Sequence, residues 1–150
     1  MSKSARIISR LEIKSLNVVK GINMEGLRVV GSPEKLAKKY YEEGVDEIIL
    51  SDIVASLYGR NQLLDLIKKV SQEVTIPIVV GGGVRTLKDI ESLLKSGADK
   101  VTINTQAVYD NNLIKEASKH FGAQCIIVEV HAKKLDKKKW EVFVENGRQP

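Results

Sequence analysis

Five places along the chain carry residue types that suit the binding of a small polar molecule. They are Glu12, Asp52, Gly81-Gly82-Gly83, Asn104-Thr105 and His131. Three consecutive glycines let backbone N–H groups approach an anion closely, and Asn104 and Thr105 add amide and hydroxyl donors. The sequence therefore predicts a phosphate site formed by Gly83, Asn104 and Thr105. The alternative, that the glycines only permit a tight turn, stays open.

Each of these places comes at the end of an apolar run of strand length, and amphipathic helical stretches lie between the runs. This alternation is typical of a parallel sheet in an α/β fold. The predicted strands are Arg6–Ile13, Glu47–Asp52, Ile76–Gly81, Lys100–Asn104 and Gln124–His131. The carboxyl ends of parallel strands meet at one edge of the sheet, where such folds bind ligands. We therefore expect the five places to share that edge.

The helices between the strands have readable ends, and one stretch of the chain is repeated. Four helices are predicted: one after Ser32, one over Arg60–Val74, one after Thr86 and one after Asp110. The first, third and fourth end before Gly44, Gly97 and Gly122, respectively. The segment that begins at Gly44 resembles the one that begins 53 residues later at Gly97. A repeat that covers two βα units favours a barrel grown by duplication, although coincidence between two helix-to-strand turns remains an alternative.

The predicted architecture is a partial (βα)8 TIM barrel of about five parallel strands with flanking helices, in a single domain over residues 1–150. Five strands cannot close an eight-stranded barrel, so we expect a truncated barrel. Residues 140–144 alternate in polarity and residues 145–148 read as a turn, which predicts a hairpin in a loop after the fifth strand.

Composition excludes several classes of protein. Hydrophobic residues make up 43% and charged residues 29%, which is ordinary for a globular protein and unlike a disordered one. The net charge of +5 comes partly from one tract, which consists of Lys133, Lys134, Lys137, Lys138 and Lys139. Few aromatic residues and no nucleic-acid-binding motif lie near this tract. We therefore interpret it as a solvated loop and expect no nucleic-acid partner.

The cysteine and histidine residues of the sequence indicate a protein of a reducing compartment that binds no metal. Cys125 cannot form an intrachain disulfide and is interpreted as a small buried hydrophobe. No apolar stretch could span a bilayer, so we expect a cytoplasmic protein without a membrane partner. Metal-ligand spacings such as HxH or CxxC are absent from the sequence, and we expect neither a metal nor a cofactor.

Several motifs, in order and with matching spacing, resemble the cyclase subunit of imidazole glycerol phosphate synthase. They are Val18-Val19-Lys20-Gly21, Glu25-Gly26-Leu27-Arg28, the stretch from Leu36 to Gly44, Val80-Gly81-Gly82-Gly83-Val84-Arg85, the stretch from Gly97 to Thr105, Phe121-Gly122-Ala123-Gln124-Cys125 and Trp140-Glu141-Val142. The resemblance covers nearly the whole chain and somewhat more than half of the family's barrel. It implies a phosphorylated substrate, a glutaminase partner that supplies ammonia through the barrel, and formation of the imidazole ring in histidine biosynthesis.

The resemblance also implies roles for individual residues. Glu12 and His131 stand where the family has its two catalytic aspartates, and both can exchange protons. Lys20 matches the loop lysine that closes over the substrate. Arg6, Glu47 and Lys100 match the charged gate for ammonia, and Asp99 matches a residue that faces the glutaminase.

Several positions depart from the family pattern near the reaction end of the strands. Arg10 stands where cysteine is usual, Leu16 where the loop has glycine, Val54 where threonine is usual, and Glu129 where a small residue is usual. Together with the loss of both aspartates, these departures keep two alternatives open. One is a paralogue that delivers ammonia to a sugar-linked substrate in surface-polysaccharide biosynthesis. The other is a catalytically inactive half-barrel used for assembly. Open sheet edges also predict a homo-oligomer.

Overall fold

The computed structural model describes residues 5–22, 26–54, 60–145 and 149. Its strands are β1 (Ile8–Lys14), β2 (Asn17–Ile22), β3 (Gly26–Gly31), β4 (Glu47–Asp52), β5 (Ile78–Gly81), β6 (Lys100–Ile103), β7 (Ile126–Val128), β8 (His131–Asp136) and β9 (Lys139–Phe143). Its helices are α1 (Pro33–Glu42), α2 (Arg60–Glu73), α3 (Leu87–Lys95), α4 (Thr105–Tyr109) and α5 (Asn111–Phe121), and a 3-10 helix (Ala123–Cys125) precedes β7.

Seven strands form one sheet in the order β3-β2-β1-β4-β5-β6-β7, and β8 pairs with β9 in a separate hairpin. In this order, β1, β4, β5, β6 and β7 each pair in parallel with the next. This confirms the predicted α/β fold with five parallel strands. One face of this sheet buries side chains such as Leu11, Ile48, Val80 and Val101 against the helices. We call the opposite face the inner face, because it would line the interior of a barrel.

The β2–β3 hairpin was not predicted from the sequence. It extends the sheet beyond β1 by antiparallel pairing, and it follows a tight turn in which Ser15 and Leu16 have positive φ angles of 49° and 63°. Five of the six residues of β3 are exposed, so this strand carries no alternation of buried and exposed side chains. Backbone pairing, and not burial, therefore defines it, and such a strand leaves little trace in the hydrophobic pattern.

The predicted hairpin near residue 140 exists, but its position differs. Its turn lies at Lys137 and Lys138, and the other three lysines of the tract lie on its strands, so the tract belongs to an exposed two-stranded hairpin and is not a loop. Of the predicted turn, residues 146–148 lie outside the described residues, although Val144 and Gln149 form an antiparallel bridge across them.

The fifth parallel strand is shorter than predicted. β7 ends at Val128, because its neighbour β6 ends at Ile103. The N–H of Glu129 donates to the Ile103 carbonyl at 2.9 Å, and β6 offers no further backbone partners beyond this bond. His131 therefore begins β8 and does not end the fifth strand. Cys125, predicted as a buried strand residue, lies in the 3-10 helix and is only partly buried.

The internal repeat has a structural counterpart. Asp46 bonds both backbone groups of Ile7: its N–H donates to the Ile7 carbonyl at 2.9 Å, and its carboxylate accepts the Ile7 N–H at 2.7 Å. Asp99 forms the same two bonds with Ile78, both at 2.8 Å. Each aspartate thus fixes the start of the preceding parallel strand, and each follows a helix-ending glycine with positive φ. The two equivalent units agree with duplication.

Neither a membrane-spanning helix nor a metal-binding cluster occurs in the described part of the chain. Its helices are too short or too polar to cross a bilayer. In the same residues, no three His, Cys, Asp or Glu side chains are grouped so that they could hold a metal ion.

Candidate functional site

The amino end of the inner face holds a buried carboxylate between two cations. Glu47 is only 2% exposed. Its Oε1 lies 2.7 Å from Lys100 Nζ, and its Oε2 lies 3.3 Å from Arg6 Nη1. A buried carboxylate needs such partners, because burial without them strongly disfavours its charged form. The structure therefore brings together Arg6, Glu47 and Lys100, the three residues that match the charged gate of the resembling family, here called the Glu47 cluster.

At the carboxyl ends of β5 and β6, the glycine turn packs tightly. A Cβ atom on Gly81 would lie 1.8 Å from Thr102 Oγ1, and one on Gly82 would lie 2.2 Å from the Asp52 carbonyl oxygen. Gly82 and Gly83 also have φ angles of +110° and +62°, which favour glycine. Packing and backbone conformation thus account for Gly81 and Gly82 without a ligand. The phosphate role of Gly83 stays a prediction.

The two polar residues beside this turn form hydrogen bonds within the chain. Asn104 Nδ2 donates to the Glu129 carbonyl oxygen at 2.7 Å. Thr105 Oγ1 accepts the Glu145 N–H at 3.0 Å and donates to Asn104 Oδ1 at 3.3 Å. The structure places both residues next to each other at the carboxyl edge of the sheet, as predicted. A phosphate at this position would have to share or replace these contacts.

A network of polar and charged side chains crosses the inner face, nearer to the carboxyl ends of the strands than the Glu47 cluster. Arg10 on β1 bonds to the Glu129 carboxylate beyond β7 through Nη1 and to Ser51 Oγ on β4 through Nη2 at 3.0 Å. Arg10 Nε also lies 3.8 Å from Glu12 Oε1. His131 Nε2 lies 3.0 Å from the same Glu129 oxygen that contacts Arg10. We call these five residues the Glu129 network.

The contact between Arg10 and Glu129 shows how strongly the sheet curves. β1 and β7 are four strand intervals apart, which would separate them by about 19 Å in a flat sheet at roughly 4.8 Å per interval. That separation exceeds the reach of the two side chains. The sheet must therefore curl around its inner face, as it does in a barrel.

The network determines the charge state of Glu129. Partial burial alone would raise the pKa of Glu129, but hydrogen bonds from Arg10 and His131 favour its carboxylate, and the pKa lies below its ordinary value. Glu129 is therefore ionised near neutral pH and serves as an acceptor for both neighbours.

Of the predicted catalytic residues, the structure links Glu12 and His131 but leaves Lys20 apart. Glu12 and His131 both belong to the Glu129 network. Lys20 is exposed on β2 opposite Arg28, and none of the hydrogen bonds or ion pairs among residues 5–22, 26–54 and 60–145 joins it to that network. A surface cavity of about 380 Å³ lies elsewhere, lined by residues of the β1–β2 turn, α1 and α2.

The contact between Arg10 and Glu129 was not predicted from the sequence, although the sequence carries a signal for it. Arg10 and Glu129 were each noted as departures from the pattern of the resembling family. The structure shows that these two residues contact each other on the inner face.

Comparison with known proteins agrees with the fold and with the motifs. The sequence model of the family described as "Histidine biosynthesis protein" matches residues 6–150. The chain belongs to this family. Relatives include the imidazole glycerol phosphate synthase subunit HisF of Legionella pneumophila, which is 49% identical over 97% of this chain and 69% of the relative. The corresponding subunits of Bacillus cereus and Campylobacter concisus are 47% and 48% identical over 95% of this chain, and the chain spans 57% of the length of each. The predicted kinship with this synthase subunit is confirmed.

Proposed function

We propose that the protein acts as the cyclase-type subunit of an imidazole glycerol phosphate synthase, which uses glutaminase-derived ammonia to form the imidazole ring in histidine biosynthesis. The observation that carries this proposal is the Glu47 cluster. A carboxylate held between two cations at the amino end of a curved parallel sheet suits a gate for a small polar molecule, and the relatives are named as synthase subunits.

In this proposal the chemistry takes place at the opposite end of the inner face. Glu12 and His131 exchange protons with the substrate, and Gly83, Asn104 and Thr105 bind one of its phosphates. Lys20, exposed on the β2–β3 hairpin, closes over the substrate. The cluster of Arg6, Glu47 and Lys100 admits ammonia from a glutaminase partner.

The test is turnover of the synthase substrate with ammonium salt, in a version of the protein that has the full length of its relatives. We expect release of the aminoimidazole carboxamide nucleotide, and we expect His131→Ala to abolish it. His120→Ala is the matched control, because His120 is exposed near the end of α5 and packs on Phe121, away from the inner face. Equal loss in both variants would refute the assignment of His131.

A second candidate function is favoured by the Glu129 network. Arg10 and Glu129 place a large ion pair on the inner face, where the resembling family has small side chains. A paralogue that passes ammonia to a sugar-linked substrate would need a differently shaped site at this end. Turnover of a nucleotide-linked sugar with ammonium salt, but not of the synthase substrate, would favour this candidate.

We also propose that residues 1–150 fold as one barrel-derived unit that associates with a second copy. Apolar side chains are exposed at both edges of the sheet, at Val29 and Val30 on β3, at Val128 on β7 and at Val130 just after it. Covering such edges stabilises a sheet by about 25 cal/mol for each Å² of apolar surface removed from water.

A further inference from the structure

The ion pair between Arg10 and Glu129 spans the inner face from one side to the other. Arg10 belongs to β1 and Glu129 directly follows β7, four strand intervals away in the sheet. In a closed eight-stranded barrel, strands four intervals apart lie on opposite sides of the barrel axis. Arg10 Nη1 nevertheless donates to Glu129 Oε1. The pair therefore crosses the space that the curled sheet encloses.

Along the strands, the pair lies between the Glu47 cluster and the carboxyl edge of the sheet. Glu47, Ile49 and Ser51 share the inner face of β4, because the residues that alternate with them pack in the core on the other face. Arg10 Nη2 bonds to Ser51 Oγ at 3.0 Å, and Ser51 lies four positions beyond Glu47. At roughly 3.3 Å per residue, the two charged layers are about 13 Å apart along β4, with the apolar Ile49 between them.

Each member of the pair has a further partner on its own side of the inner face. Arg10 contacts Ser51 Oγ on the neighbouring strand, and its Nε lies 3.8 Å from Glu12 Oε1. Glu129 Oε1 lies 3.0 Å from Nε2 of His131, two residues further along the chain. A charged side chain that loses its only partner away from water is strongly destabilised, and these contacts avoid that cost. The pair can therefore separate without leaving either charge alone.

We propose that the pair of Arg10 and Glu129 is a second barrier on the inner face, which must open before a small polar molecule can pass from the Glu47 cluster to the carboxyl edge. The proposal rests on the proposed function only for the identity of that molecule, which is ammonia. Two long side chains bonded across the interior leave a narrower passage than the small side chains that the resembling family has at these positions. Ammonia both donates and accepts hydrogen bonds, so it can bond to the separated carboxylate and guanidinium as it passes.

The experiment measures how fast a cysteine between the two charged layers reacts with iodoacetamide, a small neutral thiol reagent. Ile49→Cys supplies this thiol, in a version of the protein that has the full length of its relatives and in which every native cysteine, including Cys125, is replaced by serine. We expect the further changes Arg10→Ala and Glu129→Ala, made together, to raise the rate of reaction several-fold, because they remove the barrier and leave no unpaired charge.

Two controls separate an opened passage from a general loss of stability. Ile48→Cys places the thiol on the opposite face of the same strand, in the core, and its rate should not rise when the pair is removed. Lys38→Ala and Glu73→Ala together remove an exposed ion pair between α1 and α2, and this change should leave the rate at position 49 unaltered.

An unchanged rate at position 49 after removal of the pair would overturn the proposal, and so would equal rises at positions 48 and 49. If the variant without both charges does not fold, Arg10→Ala alone decides by the same comparison. The thiol reaction needs neither substrate nor a glutaminase. Absence of turnover with ammonium salt would therefore refute the proposed function and leave the barrier standing, whereas an unchanged thiol rate would refute the barrier alone.

Discussion

Removal of the two cations of the Glu47 cluster should have unequal effects on stability. Lys100 is 23% exposed in its side chain and contacts Glu47 at 2.7 Å, whereas Arg6 is 65% exposed and contacts it at 3.3 Å. Lys100→Met leaves a nearly buried carboxylate with a solvent-screened partner, and we expect it to lower the free energy of unfolding by about 2–4 kcal/mol. Arg6→Met removes a mostly exposed ion and should lower it by about 1 kcal/mol or less.

The assay is urea unfolding followed by circular dichroism, with the free energy taken from linear extrapolation and an unchanged slope as the condition for comparison. Lys95→Met is the matched control, because Lys95 forms an exposed ion pair with Glu91 one turn away on α3. We expect the order of loss to be Lys100, then Arg6, then Lys95. Equal losses for Lys100 and Arg6, or a loss at Lys100 no larger than at Lys95, would refute the reasoning that burial of Glu47 determines the effect.

Three further predictions concern ligand binding, pH and association. Titration with a sugar phosphate should shift the backbone NMR signals of Gly83, Asn104 and Thr105, and unchanged signals there would contradict a phosphate site. Because the folded-state pKa of Glu129 lies below its ordinary value of 4.5, its contribution to stability is present above about pH 4.5 and is lost as the pH falls through the folded-state pKa. Glu129→Gln should flatten this acid dependence, and an unchanged slope would contradict it. Light scattering should show a dimer at tens of micromolar, whereas a well-folded monomer would exclude self-association.

The sequence predicted the parallel strands well because burial leaves a clear pattern there. All four residues of β5 are buried, and β4 has the apolar run Ile48, Ile49 and Leu50 at its centre, so both strands are recognisable between the helices. The β2–β3 hairpin was missed because β3 is almost entirely exposed and its pairing with β2 depends on backbone hydrogen bonds. The end of the fifth strand was misplaced because the neighbouring strand stops first, and no local signal reports that.

The candidate site was predicted in part. The Glu47 cluster could be anticipated, since equivalent positions at the starts of parallel strands meet in space. The pair of Arg10 and Glu129 could not, because it joins residues 119 positions apart and requires a sheet that curls upon itself. Its sequence signal was two departures from the family pattern that were considered separately. The role of Lys20 stays a prediction, since it came from the resemblance, and the side chain is exposed on β2.

The most direct test of the central claim compares the protein with its double variant Glu12→Asp, His131→Asp, both at the full length of the relatives. The measurement is release of the aminoimidazole carboxamide nucleotide from the synthase substrate with ammonium salt. If Glu12 and His131 occupy the acid–base positions of a cyclase, the unaltered protein forms product, the double variant forms more, and either single change recovers little because the two groups act together. Absence of product from both proteins would contradict the account.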